Sequence, residues 1–256
     1  RSSDRTTVCR LGVLTVCQIL RHAGAMAAPA DLPDTIPACL DRAVSLFADR
    51  EALVDGDLRL TWAELGERVD EGARALVARG IEAGDRVAIW APNIAEWVVA
   101  SLAVHRTGAA GARMLLTVTD FLGTDHVALL RAAEGGVPDC LEQVVVLRGP
   151  VPDGATSWQD LLGRAGEVDP SETAARAAAV AGTDMCDILF TSGTTGKPKG
   201  AMMGHAASIR AFWEWSGVVG LREDDRYLIV NPFFHSFGLK AGILACVLRG
   251  STMVPH

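Results

Sequence analysis

The chain has 256 residues, with 49% hydrophobic and 21% charged positions, which fits a soluble globular protein with ample core in one large or two small domains. A net charge of −7 and a pI near 5.4 argue against nucleic acid or anionic membrane as the main partner. The six cysteines (Cys9, Cys17, Cys39, Cys140, Cys186, Cys246) form no CxxC pair and no cluster with histidine, so neither a disulfide framework nor a metal site is expected.

The first residue is Arg, and Leu11–Leu20 is an apolar run too short to span a bilayer. Residues 1–25 are read as an extra or disordered segment, with Met26 as the expected start and residues 26–256 as the folded part. Pro29, Pro33 and Pro37 mark an extended lead-in over residues 27–37. Ala38–Phe47 has helical apolar spacing. Ala52–Val54 and Leu58–Leu60 flank Asp55-Gly56, a hairpin signal. Thr61 and Glu64 form a capping box for a helix closing at Gly80. Val87–Trp90 reads as a strand, and Asn93 with Glu96 as a cap-like pair for a helix ending at Gly108. Arg113–Val118 and Gln143–Leu147 read as strands, Leu122–Ala133 and Ser157–Leu162 as helices, and Ala174–Ala181 as helix-prone or a surface linker. This alternation predicts an α/β fold with mostly parallel sheets flanked by helices.

Ile188–Phe190 is an apolar strand feeding Thr191-Ser192-Gly193-Thr194-Thr195-Gly196-Lys197-Pro198-Lys199-Gly200. Glycines allow sharp turning and close approach, exposed N–H groups and hydroxyls offer donors to an anion, and lysine adds charge, so the segment suits phosphate. It is not a Walker A loop: only two residues separate Gly193 from Gly196, and Pro198 stands where a hydroxyl would follow the lysine. Ala201–Met203 then reads as a strand, His205–Trp215 as a helix, Arg226–Val230 as a strand, Leu239–Leu248 as a helix and Ser251–Val254 as a strand. Between them, Phe233, Phe234, His235 and Phe237 sit in a turn bounded by Pro232 and Gly238. That cluster either seals a core or lines a pocket.

Thr191–Gly200 matches throughout the signature [ST]-S-G-T-[ST]-G-x-P-K-G, and the chain thereby resembles the adenylate-forming superfamily of acyl-CoA synthetases, peptide-synthetase adenylation domains and luciferases. Thr61-Trp62-Ala63-Glu64-Leu65, Gly84-Asp85-Arg86-Val87-Ala88-Ile89 and Pro92-Asn93 with Glu96-Trp97 are similar to the opening of an acyl-CoA synthetase. Asn231–Gly238 resembles its [LIN]-P-x-F-H-x-x-G motif, and the continuation to Cys246 is similar to actinobacterial ligases acting on propanoate side chains of degraded steroid rings.

The resemblance implies formation of an acyl-adenylate from a carboxylic acid and Mg·ATP, then transfer to CoA, in the cytoplasm, as part of fatty-acid or lipid metabolism. It implies that Thr191, Ser192, Gly193, Thr194, Thr195, Gly196, Lys199 and Gly200 bind ATP. Lys199 and His235 are the catalytic candidates, and Phe234, His235, Phe237 and Gly238 the candidates for the acid and thiol sites. ATP, Mg²⁺ and CoA are thus implied, with no resident metal, nucleic acid or integral membrane segment.

Two departures qualify the resemblance. Relatives carry a V-P-L-N-type strand and a helix after the position of Gly108, whereas here Gly108-Ala109-Ala110 runs straight into Gly111-Ala112-Arg113. One strand–helix unit is therefore expected to be missing near residue 110, leaving an open strand edge and a chain less stable than complete relatives. The adenine-binding Y-G-x-T-E segment and the C-terminal domain have no counterpart. The expectation is a truncated AMP-binding domain, weak or inactive as a ligase alone, with a non-catalytic fragment or another adenylating enzyme as alternatives.

Overall fold

The computed structural model describes residues 28–109, 113–191 and 199–256. Residues 1–25, for which an extra segment is expected, lie outside them. The proline-rich lead-in is shorter than expected. Helix α1 (Ile36–Phe47) begins at Ile36, because Thr35 caps it through Ala38 N–H at 3.4 Å and Pro37 falls in the first turn, where a missing N–H costs nothing. Strands β1 (Glu51–Asp55) and β2 (Leu58–Thr61) form the expected hairpin, with Gly56 at φ +58°. Thr61 and Glu64 then make a reciprocal capping box on α2 (Trp62–Ala78), with Thr61 N–H donating to Glu64 Oε2 at 2.8 Å and Glu64 N–H to Thr61 Oγ1 at 3.2 Å.

Strand β3 (Val87–Trp90) leads to α3 (Ala95–Thr107), which is buried along its whole length against α2 and carries Trp97, Val98, Leu102 and Val104 in the core. Asn93 does not cap this helix. Ile94 occupies the cap position, and the Ala95 N–H donates to Asp55 Oδ2 at 2.9 Å instead. Arg148 bridges that same carboxylate oxygen to Glu96, at 2.5 and 2.7 Å, so the end of β1 is tied to the start of α3.

After α3 come β4 (Met114–Val118), α4 (His126–Ala132) and β5 (Gln143–Arg148). The expected helix from Leu122 begins only at His126. Asp120 and Leu122 adopt positive φ, and Asp125 caps the helix through the N–H groups of Val127 and Ala128. Next are β6 (Thr156–Ser157), α5 (Trp158–Leu162) and α6 (Pro170–Ala179). The α6 stretch is a helix rather than a linker and starts earlier than its alanines, because Asp169 caps it and Pro170 occupies the first turn.

The remaining elements are β7 (Met185–Thr191), β8 (Lys199–Gly204), α7 (His205–Val218), β9 (Arg226–Ile229), α8 and β10 (Thr252–Pro255). Helix α8 is π-helical over Phe237–Leu244 and α-helical over Ala245–Arg249, beginning two residues before the apolar pattern suggests.

Three sheets result. The first has the order β2-β1-β10-β9, parallel except for the hairpin; the second is the all-parallel β3-β4-β5-β6; the third is the antiparallel pair β7-β8. The uninterrupted burial of Met114–Val118 is the pattern of a strand covered on both faces. Among the described residues β3 pairs only with β4, and β7 only with β8.

Candidate functional site

Strands β7 and β8 bracket the phosphate-type segment. Their register pairs Thr191 with Lys199, Phe190 with Gly200 and Leu189 with Ala201. Thr191 is the last residue of β7, and Lys199 and Gly200 open β8. Ser192, Gly193, Thr194, Thr195 and Gly196 lie outside the described residues. Gly200 packs closely on β7: a Cβ there would stand 2.9 Å from Ile188 Cγ2, the end of a side chain that can give way.

The second segment is built around Asn93. Its amide Nδ2 donates to the carbonyls of Ile229, Asn231 and His256 at 3.1, 3.0 and 3.2 Å, and its Oδ1 accepts from Phe233 N–H at 2.8 Å. One side chain therefore ties together the ends of β9 and β10 and the turn that follows, its two amide hydrogens shared among three carbonyls. The Pro-Asn pair at residues 92–93 carried the signal for this role, but sequence reasoning assigned Asn93 to a helix cap.

The aromatic cluster divides. Phe233 is fully buried against Trp97, with ring centroids 5.2 Å apart, and seals the core. Phe234 and Phe237 are 59% and 45% exposed and face outward, Phe237 meeting Trp215 edge-on at 5.8 Å. His235 is exposed between them; its Nδ1 accepts from Phe237 N–H at 3.2 Å, which leaves Nε2 as the outward donor. Gly238 is obligatory, since a Cβ would overlap the Pro232 carbonyl oxygen. Phe234, His235, Phe237 and Gly238 are thus on one turn at the start of α8.

Behind these two segments lies an ionic cluster that sequence reasoning missed. Lys240 on α8, fully buried, pairs with Asp187 on β7, and its Nζ also lies 3.4 Å from Cys186 Sγ. His105 of α3 places Nε2 3.7 Å from Asp187 and packs edge-on against His205, centroids 5.6 Å apart. Burial alone would raise the Asp187 carboxyl, but Lys240 and His105 outweigh it and hold its pKa down at about 2. Burial pushes His105 down to about 4 despite Asp187, so it is neutral near pH 7. Burial also raises the Cys186 thiol to about 11, which removes it as a nucleophile. A lone Lys240 in an apolar helix gives no sequence signal, because its partner is 53 residues away.

The strand entering the phosphate segment and the aromatic turn meet at one cavity of about 620 Å³, which Phe190, Phe233 and Phe234 all line. Among the described residues no cluster of three or more His, Cys, Asp or Glu could hold a metal ion, and no helix is long and apolar enough to cross a membrane.

The profile of the family described as "AMP-binding enzyme" matches residues 40–120 and 109–256. The chain is 45% identical over 243 residues to the 3-[(3aS,4S,7aS)-7a-methyl-1,5-dioxo-octahydro-1H-inden-4-yl]propanoyl:CoA ligase of Mycobacterium tuberculosis, covering 87% of this chain and 46% of that one. It is 39% identical to the ligase of the same name from Rhodococcus jostii, covering 87% and 48%. Among solved structures it is similar to the anthranilate CoA ligase AuaEII in complex with anthranoyl-AMP, with a TM-score of 0.75 at 25% identity, over 88% of this chain and 46% of that one. The chain spans about half the length of the curated relatives it matches.

Proposed function

The chain belongs to the AMP-binding enzyme family, and from that premise we propose that it supplies the phosphate-holding and acid-holding side of an acyl-CoA synthetase site. The reaction is the two-step one: a carboxylate attacks the α-phosphate of ATP to give an acyl-adenylate and pyrophosphate, and the thiol of CoA then displaces AMP. Both steps need stabilised phosphoryl charge and accurate placement of a weak nucleophile. In this reading Thr191, Ser192, Gly193, Thr194, Thr195, Gly196 and Gly200 hold the phosphates, with Lys199 as the cation. Phe234, Phe237 and Gly238 face the acid, and His235 stands between the acid and thiol positions. Mg²⁺ would come with the nucleotide, its phosphates and the loop hydroxyls being the hard oxygen donors it prefers.

The observation that carries this reading is the Lys240–Asp187 pair. It fixes β7, which delivers Thr191, against α8, which begins inside the His235 turn. The two candidate half-sites are therefore held by one buried contact. The similarity to ligases of a fused-ring propanoyl group supports a ring-bearing propanoic acid as substrate, and the exposed Phe234 and Phe237 suit such a surface. A cytoplasmic location is part of the same proposal.

Binding tests it directly. Mg·ATP titrated into the chain should give saturable binding by calorimetry that weakens at least tenfold in Thr194→Val and Lys199→Ala. A bicyclic propanoic acid should change the tryptophan emission of the parent chain and not that of Trp215→Phe, since Trp215 packs on Phe237. Equal ATP binding in the parent and both variants would remove the phosphate-site assignment.

A further inference from the structure

A second cavity, of about 470 Å³, lies at the opposite end of the first sheet. Arg222 stands just before β9 and Arg249 just before β10, whereas the His235 turn follows the far end of β9. The parallel strands β9 and β10 thus run from this cavity towards the candidate site described above.

Three arginines are in its wall, Arg42 of α1 with Arg222 and Arg249, against one carboxylate, Glu223. Glu223 is already engaged by Arg50, 3.2 Å away and outside the wall. None of the three wall arginines has an ion-pair partner among the described residues. Arg249 is half-buried and held in place. Its Nε donates to Ser216 Oγ and its Nη2 to the Trp213 carbonyl, both at 2.8 Å, with the guanidinium 3.7 Å from the Trp213 ring centre. Those bonds leave most of its five N–H donors unused. Burial and the Arg42 charge both push the Arg249 guanidinium below its usual range. Trp213, also in the wall and 6% exposed, buries Nε1 with no acceptor among the described residues.

Closing helix ends does not account for these cations. Arginines near a helix C-terminus often bond its last carbonyls. At the end of α7 the backbone does most of that work. Val219 N–H donates to the Trp215 carbonyl at 3.1 Å, Leu221 N–H to that of Ser216 at 2.9 Å, and Gly220 N–H to that of Gly217 at 3.1 Å. At the end of α8, Gly250 and Ser251 N–H share the Cys246 carbonyl, at 2.8 and 3.2 Å. Arg42 lies in the middle of α1 rather than in its last turn.

Unmatched guanidinium charge in a recess calls for an oxyanion. Cations outnumber carboxylates in the wall by two. A phosphate monoester carries roughly −1.5 to −2 at neutral pH and fits the arginine fork, whereas a carboxylate supplies a single charge. The volume falls within the range of about 300–1,000 Å³ usual for small-molecule sites, and Phe47 and Leu248 add apolar wall. The phosphate therefore comes on an organic body.

We propose that the recess of Arg42, Arg222, Arg249 and Trp213 binds an organic phosphate monoester. It is a binding site only, with no bond made or broken there. It does not rest on the acyl-CoA synthetase reading.

Phenyl phosphate, titrated into the full chain by calorimetry at low ionic strength, tests it. Binding should be saturable and at least ~10-fold weaker in Arg42→Gln and in Arg222→Gln. Neither side chain makes a hydrogen bond or ion pair among the described residues, so both variants should fold. Arg226→Gln, which removes an exposed arginine paired with Glu51 outside the recess, should bind like the parent. Saturating Mg·ATP should leave the affinity unchanged. Displacement by Mg·ATP overturns the proposal, because the ligand then sits on the phosphate-type segment. Equal affinity in the parent and both variants overturns it as well. Benzoate binding as tightly as phenyl phosphate overturns the phosphate assignment. Vesicles of phosphatidic acid carry the same monoester on a lipid and separate the two sources. Phenyl phosphate binding without Arg42-dependent retention on the vesicles assigns the site to a free ester, and the reverse assigns it to a headgroup.

Discussion

Lys240 and Asp187 form an ion pair across the interior, one from the π-helical start of α8 and one from the strand that delivers Thr191. Lys240 is fully buried and Asp187 nearly so. Such a pair gains little over a well-packed apolar pair, because both ions lose their hydration. Removing one partner strands the other. Lys240→Met should therefore cost about 3–5 kcal/mol of stability, and Asp187→Leu a similar amount. The double variant should recover much of that loss. Urea unfolding of the four proteins measures it, and additive losses would show that the two side chains are not coupled.

Acid should weaken the fold well before the carboxylates protonate. His105 is held down at about 4 by burial, against 6.5 in an unfolded chain. A depressed histidine contributes its full stability above 6.5, where neither state binds the proton. As pH falls from 6.5 towards 4, only the unfolded chain takes it up, so stability declines. The full gap corresponds to roughly 3 kcal/mol. The groups facing His105 are Asp187, Lys240 and His205, and His205 is also depressed by burial, which adds in the same direction. Asp187 at about 2 acts only below its unfolded value near 3.8 and leaves this window alone. Urea stability at pH 7 should exceed that at pH 4.5 by about 2–3 kcal/mol, and His105→Gln should flatten the slope. A slope unchanged in the variant would assign the acid sensitivity elsewhere.

Asn93→Leu should loosen the aromatic turn without touching it. The substitution deprives the Asn231 and His256 carbonyls and the Phe233 N–H of this partner, while the Ile229 carbonyl keeps the His256 N–H at 3.1 Å. Half-buried bonds of this kind are worth about 1 kcal/mol each, so a loss of about 2–4 kcal/mol is expected. For a chain of this size that lowers Tm by roughly 4–16 °C. The more telling readout is the part of the tryptophan emission that Trp215→Phe removes, because Trp215 is the tryptophan in contact with Phe237. An unchanged spectrum would mean the turn holds its shape without Asn93.

Much of this architecture was legible because its causes are local. The Thr61–Glu64 capping box, the Asp55-Gly56 hairpin and the buried β4 run follow from neighbouring residues and short periods. What escaped depends on distant partners. Asn93 looks like a helix cap until Ile229, Asn231 and His256 are brought to it by the first sheet. Lys240 looks out of place in an apolar helix until β7 brings Asp187. The helix expected from Leu122 failed because positive φ at two residues overrode helix propensity. The aromatic cluster was visible as a group, but only its packing separates buried Phe233 from exposed Phe234 and Phe237.

The two glycines that shape the candidate half-sites should respond differently to one added methyl. At Gly238 a Cβ would overlap the carbonyl oxygen of Pro232 and crowd that of Asn231, both backbone atoms fixed by the turn and by Asn93. Neither can retreat without unmaking the His235 turn. Gly238→Ala should therefore destabilise by more than about 2 kcal/mol and disturb the Trp215 signal. At Gly200 the obstacle is Ile188 Cγ2 at 2.9 Å, the end of a side chain that can shift by a few tenths of an ångström. Gly200→Ala should cost under about 1 kcal/mol, with any larger effect confined to nucleotide affinity. Thermal melts with and without Mg·ATP separate the two. Equal destabilisation at both positions would refute the distinction between a backbone obstacle and a side-chain one.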